Sequence, residues 1–304
     1  MRNLFLVFSS LILIFSCVSS KNVIFHPGFE IVGHRGNVSL YPENTLEGFI
    51  SAVSLGVDAI EMDLVISADK EVVVSHEPYM AAATVITPEG KRISRSKQKD
   101  YNLYRMTYDS IRQFPTGTLK NKKFRNQQQS SNAHKPLLSE IFEAVENFRK
   151  KEGLEPITYY LEAKSRPPDY GIFQPHPEEF AELIMEIVSK HQMEEVVIIK
   201  SFDANFLNLL KQKYPDIKTS YLIYQTPWRE GLNRLDFTPD AIGPYYKQLR
   251  TKEQVKEIQA RGIKVVPWTI NSKNKIKKMI NLGVDGIITD YPEYIVNLRK
   301  KAGN

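Results

Sequence analysis

Two imidazoles, two carboxylates and a guanidinium fall within residues 31–77: His34, Arg35, Glu61, Asp63 and His76. They sit at or near the downstream ends of short apolar runs of β type. In parallel α/β sheets and barrels, chemistry gathers at the C-terminal ends of the strands. Glu61 and Asp63 are two apart, so on a strand both carboxylates point to one face. Two acids on one apolar face repel each other and are costly to bury unless a cation lies between them. Oxygen-only ligands suit Mg²⁺ or Ca²⁺ rather than zinc. An exposed strand edge with ordinary surface acids is the alternative. The imidazoles titrate near neutral pH, so one can act as base while the other acts as acid, each giving roughly 10²–10⁴-fold. A lone histidine at a strand end is ordinarily a packed core residue; two, beside an arginine and paired acids, point to catalysis.

These side chains need a scaffold. Apolar β-type runs recur at residues 31–34, 59–65, 72–76, 157–163, 196–200, 219–224, 241–245, 264–268 and 286–289. Helical spacing lies between most of them, at 46–55, 138–150, 177–191, 204–213, 252–261 and 273–281. Alternating strand and helix argues for a parallel α/β architecture. Asn44 and Glu47 fit a capping box opening the first helix, with Asn44 as N-cap. Nine runs exceed an eight-stranded barrel by one. Between Asp63 and His76 only a short turn intervenes, enough for a hairpin and too short for a parallel crossover. The expected solution is an antiparallel return at 72–76, with His76 across from Asp63. A barrel strand lacking its helix is the other.

Residues 77–135 break the alternation and read as an insertion capping the strand ends. From Lys91 to Arg125 eleven Lys/Arg face only two acids, Asp100 and Asp109, a local excess of nine against +6 for the whole chain. Two meanings stand: a solvated basic surface, or attraction of an anionic substrate or lipid surface. Nucleic acid is not expected, because the aromatics here form no repeating stacking platform.

His34-Arg35-Gly36, Pro42-Glu43-Asn44-Thr45, Glu61-x-Asp63 and Ser75-His76-Glu77 resemble the glycerophosphodiester phosphodiesterase family. So do Leu161-Glu162-Ala163-Lys164 and Gly286-Ile287-Ile288-Thr289-Asp290, in family order across most of the chain. The resemblance implies a (β/α)8 TIM barrel over residues 25–304, here with a basic insertion after the third β-run. It also implies metal-dependent hydrolysis of glycerophosphodiesters to sn-glycerol 3-phosphate and an alcohol. In that chemistry a hard divalent ion, Ca²⁺ or Mg²⁺, held by Glu61, Asp63 and Glu162 would bind a phosphoryl oxygen. Arg35 can fork onto the phosphate, and Lys164 shares a strand face with Glu162. His34 and His76 supply proton transfer. Lys200, Trp268 and Asp290 lie at later strand ends and could line the pocket; His26, His134, His176 and His191 receive no role. A phospholipase C- or D-like enzyme on intact lipids and a non-catalytic surface lipoprotein on the same barrel are the competing functions.

Composition fits a soluble globular protein, with 42% hydrophobic and 25% charged residues. A core of this size needs no disulfides. No P-loop, dinucleotide glycine fingerprint, GxSxG elbow, HExxH or Cys/His zinc spacing occurs, which removes several enzyme classes. Residues 1–20 combine Arg2 with an apolar run too short to span a bilayer comfortably, as in a secretory signal. Ile14-Phe15-Ser16-Cys17 looks like a bacterial lipobox, with Phe15 departing from the usual small residue. Export is expected, with membrane anchoring through a lipidated Cys17 and ordinary signal cleavage nearby as the alternative. The oligomeric state is undefined.

Overall fold

The computed structural model describes residues 23–303; the expected signal segment and Cys17 lie outside the described residues. In chain order the elements are β1 (Glu30–His34), α1 (Leu46–Leu55), β2 (Ala59–Ile66), β3 (Val72–Val74), α2 (Tyr108–Ile111), α3 (Leu138–Lys151), β4 (Thr158–Ala163), α4 (Pro177–Lys190), β5 (Val197–Ser201), α5 (Ala204–Lys213), β6 (Lys218–Ile223), α6 (Trp228–Leu232), β7 (Ala241–Pro244), α7 (Lys252–Gln259), β8 (Lys264–Val265), α8 (Lys273–Leu282), β9 (Gly286–Thr289) and α9 (Pro292–Ala302). Eight strands pair in parallel in the order β8-β7-β6-β5-β4-β2-β1-β9, forming a (β/α)8 TIM barrel. Its strands are near-continuous apolar runs because helices cover one face and the barrel interior fills the other. At the seam β8 and β9 share no ladder. Single bonds bridge it, from Asp285 N–H to Val265 O (2.9 Å) and from Ile288 N–H to Pro267 O (3.1 Å). Pro267 has no N–H to return, which cuts the ladder short there.

Strand register sets the chemistry in place. Parallel pairing puts His34 beside Glu61, Asp63 beside Glu162 and Glu162 beside Lys200. Paired residues on neighbouring strands point the same way, so groups far apart in sequence stand side by side. The interior below them is small and apolar: Val32, Ala59, Tyr160, Ile198, Val266 and Ile288, with Trp268 packed above. The larger core lies outside, where the helices bury Phe49, Phe142, Phe180 and Phe206 against the strands.

β3 returns antiparallel to β2, Val74 pairing with Leu64 and Val72 with Ile66. The hairpin is therefore the solution adopted, with eight strands left for the barrel. Its register differs by one residue from the expected one: Ser75 N–H bonds Asp63 O at 2.8 Å, so Ser75 faces Asp63 and His76 lies one further on. The strand ends at Val74 because the chain turns there, Ser75 Oγ donating to Glu77 O at 2.7 Å.

Residues 77–135 run between β3 and α3 and gather their own apolar cluster. Met80, Val85, Leu103, Tyr108, Ile111 and Phe114 pack on Val65 and Val73 of the hairpin. The cap of α1 also differs from expectation. Thr45 is its N-cap, accepting from Gly48 N–H at 3.3 Å, while Asn44 takes a left-handed φ of 55°. Asn44 is thereby released to reach the site. Helices α6 and α9 go beyond the spacing-based expectation: α6 is one turn long, and α9 opens on Pro292 at its first position.

Candidate active site

The C-terminal strand ends bring the acids together first. One oxygen each from Glu61, Asp63 and Glu162 lies within 4.8 Å of the others, and all three residues are buried. Lysines are threaded between them. Lys200 Nζ donates to Glu61 Oε1 (3.0 Å) and lies 3.7 Å from Glu162 Oε2. Lys164 Nζ donates to Glu162 Oε1 at 2.5 Å and stands 2.7 Å from Asp63 Oδ1. The three acids form a buried, all-oxygen donor set whose charge these lysines balance, and such a set fits a hard divalent cation. Burial alone would raise the Asp63 carboxyl; Lys164 and Arg35 outweigh it and hold it well below the usual range. Glu61 is likewise held down by Lys200 against burial and the neighbouring Asp63 charge.

Arg35 stands at a left-handed φ of 52°, in the tight turn that ends β1. Gly36 continues it at φ 86°, where a Cβ would meet the Gly48 backbone at 2.7 Å. This close approach packs the start of α1 against the turn and aims Arg35 inward. Its backbone N–H donates to Glu61 Oε2 (3.1 Å) and its Nη1 to Glu43 Oε2 (2.8 Å). Its Nε is buried and forms a charge pair with Asp63 Oδ2 at 3.2 Å. Burial disfavours the guanidinium, but Asp63, Glu43 and Glu61 more than restore it.

The histidines flank this charge cluster. His34 Nδ1 bonds Asp290 Oδ1 at 2.6 Å, and its Nε2 lies 3.9 Å from Glu61 Oε2. Asp290 is itself held by Asn271 Nδ2 (2.6 Å) and Lys123 Nζ (2.8 Å). Its carboxyl is pulled far below the ordinary range, because His34 and then Lys123 overcome its burial. His76 Nδ1 bonds Glu77 Oε1 at 2.9 Å, and this bond lowers the Glu77 carboxyl to about 2. In both imidazoles a carboxylate holds the ring by Nδ1, and Nε2 lies outside that bond.

One cavity of about 100 Å³ is lined by His34, Arg35, His76, Glu162, Lys200 and Trp268, with Lys164 also on its wall. A wider groove of about 310 Å³ shares His76, Glu162, Lys164 and Phe202 with it and runs on past Tyr79 and Phe173. Trp268 is oriented by its indole N–H, which donates to Gly243 O at 2.6 Å.

A family model described as the glycerophosphoryl diester phosphodiesterase family matches residues 34–294. This chain belongs to that family. A glycerophosphodiester phosphodiesterase from Caldanaerobacter subterraneus subsp. tengcongensis is 30% identical over 278 residues, 90% of this chain and 98% of that one. A solved structure from Silicibacter pomeroyi superposes with a TM-score of 0.79 at 28% identity, covering 93% and 97% of the two chains. An Oleispira antarctica phosphodiesterase, solved with its product sn-glycerol-3-phosphate, shares the fold with a TM-score of 0.69 at 24% identity, covering 88% and 96%.

Within this glycerophosphoryl diester phosphodiesterase barrel, several polar groups at the site escaped the sequence reading. Asn44, a cap candidate by its place in the sequence, donates to Asp63 Oδ2 at 2.8 Å. Asp290, at a late strand end, bonds His34. Lys123 and Asn271 have no local motif that marks them. Lys135 is buried, donates to Ser75 Oγ at 2.7 Å, and its amine is pushed down to about 8 by burial. Only its position after a polar run hints at anything, since lysine is almost never fully buried without cause.

Proposed function

We propose that this enzyme hydrolyses glycerophosphodiesters to sn-glycerol 3-phosphate and an alcohol, with a divalent cation and two histidines. The observation that carries it is the single cavity on which His34, His76, Arg35 and Lys200 converge beside the Glu61–Asp63–Glu162 triad. The named activity of the Caldanaerobacter relative and the product bound to the Oleispira one support the same substrate class. Arg35, Lys164 and Lys200 bring positive charge to a phosphoryl group that gains negative charge in the transition state. Glu61, Asp63 and Glu162 would hold Ca²⁺ or Mg²⁺, which would supply Lewis-acid stabilisation of a phosphoryl oxygen.

One imidazole removes the proton from the attacking hydroxyl. The other protonates the departing alkoxide as its bond to phosphorus breaks. Asp290 holds His34 with Nε2 toward the cavity, as a base requires. His76 borders both the cavity and the groove, where the leaving alcohol would exit and take its proton. The attacking hydroxyl is water or the glycerol 2-hydroxyl; the latter would give a cyclic phosphate that water then opens. Trp268 offers an apolar wall to the glycerol carbons.

The test is turnover of glycerophosphocholine with and without EDTA, in parent and His34→Ala enzyme. Turnover should vanish with EDTA, return with Mg²⁺ or Ca²⁺, and fall about 10²–10⁴-fold in the variant. Equal turnover by His34→Ala would defeat the histidine chemistry. Activity confined to intact lipid would favour a phospholipase-type reading, for which the wider groove leaves room. The amino-terminal pattern supports export and lipid attachment at Cys17; mass spectrometry of the membrane fraction would show a mature chain beginning there.

A further inference from the structure

We propose that the mouth of the barrel docks on an anionic lipid surface, through a ledge of exposed apolar side chains flanked by unpaired cations. Few large apolar residues are strongly exposed among the described residues, and three of them stand on successive loops at this one end. Ile172 (53% exposed) follows β4, Phe202 (40%) follows β5 and Tyr224 (49%) follows β6. Phe202 and Tyr224 both rest on Trp268, at ring separations of 5.4 and 6.1 Å. Exposed apolar groups scattered singly need no explanation, whereas exposure on three successive loops at the rim of one site marks an interaction surface.

The ledge is held in place. Ile172 O accepts from Asn102 Nδ2 at 2.7 Å and Gly171 O from Arg105 Nη2 at 2.8 Å, tying the loop after β4 to residues 77–135. A side chain fixed outward in this way stays exposed without relaxing onto the core.

Charge selects the partner. All eleven cations between Lys91 and Arg125 are exposed. Among the described residues only Lys123 has a carboxylate within ion-pair distance. Contacts put some of them at the ledge: Lys99 lies 5.9 Å from the Phe173 ring, and Arg105 holds the Ile172 loop. Lys247 stands across the mouth, 5.5 Å from the Tyr245 ring. Amphipathic aromatics and an isoleucine among unpaired lysines and arginines match the boundary of a bilayer whose headgroups are anionic. Each cation near such a surface contributes about 1 kcal/mol, lost as salt screens it.

The experiment uses the full chain in a Trp228→Phe background, so that the indole signal is that of Trp268. Vesicles of phosphatidylcholine, alone or mixed with phosphatidylglycerol, carry brominated acyl chains that quench tryptophan on contact. Attachment through residues 1–20 would by itself leave the mouth, and Trp268, unquenched. Phosphatidylglycerol vesicles should quench Trp268, phosphatidylcholine alone should not, and salt should reverse the effect. Ile172→Ser/Tyr224→Ser and Lys99→Glu/Lys247→Glu should each weaken quenching about tenfold or more, with unchanged thermal unfolding midpoints. Absence of quenching by phosphatidylglycerol vesicles would overturn the proposal. So would equal quenching by neutral vesicles, or quenching that both variants retain.

Discussion

Asp290 is the residue on which the proposed proton chemistry leans hardest, though it need touch no substrate. It keeps one His34 nitrogen occupied and so fixes which nitrogen faces the cavity. Asp290→Asn should preserve the fold and lower kcat about 10²–10⁴-fold with little change in KM, by steady-state kinetics on glycerophosphocholine. No local pattern advertises this pair, because 256 positions separate its members. The opposite case is Glu61 and Asp63, whose two-residue spacing fixes a shared strand face. Lys135 yields a prediction of a different kind. Its folded amine titrates near 8, below the ordinary 10.5 of an unfolded lysine, so the unfolded state binds the proton more tightly. Stability should therefore rise between about pH 8 and pH 10.5, and below that window the full penalty of about 3 kcal/mol applies. Lys135→Met should remove the penalty and lose about 1 kcal/mol with the bond to Ser75. The net expectation is a gain of about 2 kcal/mol near pH 7 that shrinks as pH rises, measured by urea unfolding at both ends of the window.

The turn between β1 and α1 is where backbone geometry and site geometry coincide. Arg35, Gly36 and Asn44 all hold positive φ, at 52°, 86° and 55°. Such a run costs conformational energy and persists because the surroundings enforce it. Gly36→Ala would add left-handed strain and a methyl 2.7 Å from the Gly48 backbone. The expected loss is about 2–4 kcal/mol in denaturant unfolding, with weakened activity because Arg35 moves with the turn. The sequence reading of this turn misplaced the cap by one residue. Asn44 and Thr45 are both good N-cap types, and only the approach of β2 decides which side chain is free for Asp63. The direction of β3 was legible as the favoured of two solutions, because a short connection suits a hairpin and not a parallel crossover; the pairing with β2 decides it. Its one-residue register was not, since every candidate position in Val72–Val74 is a valine.

At the scale of the whole barrel, fold class was readable from alternating runs and spacing alone, and so was the likeness to the phosphodiesterase family. Cross-strand register was not readable, yet it alone sets Asp63 beside Glu162. A cation at that junction should tie three residues from two adjacent strands together. Adding Ca²⁺ or Mg²⁺ at 100-fold above its dissociation constant should stabilise the fold by about 2.7 kcal/mol, seen as a rise in melting temperature over EDTA-treated protein. Asp63→Asn should abolish the rise.

The bond from His34 to Asp290 joins the first strand of the barrel to the end of the last. A ribosome-bound chain, or one truncated before its final strand, holds every other proposed catalytic group and still lacks the clamp that aims its first imidazole. Full competence would thus await the pairing of the carboxyl-terminal strand with the amino-terminal one, and enzymatic turnover would report complete ring closure.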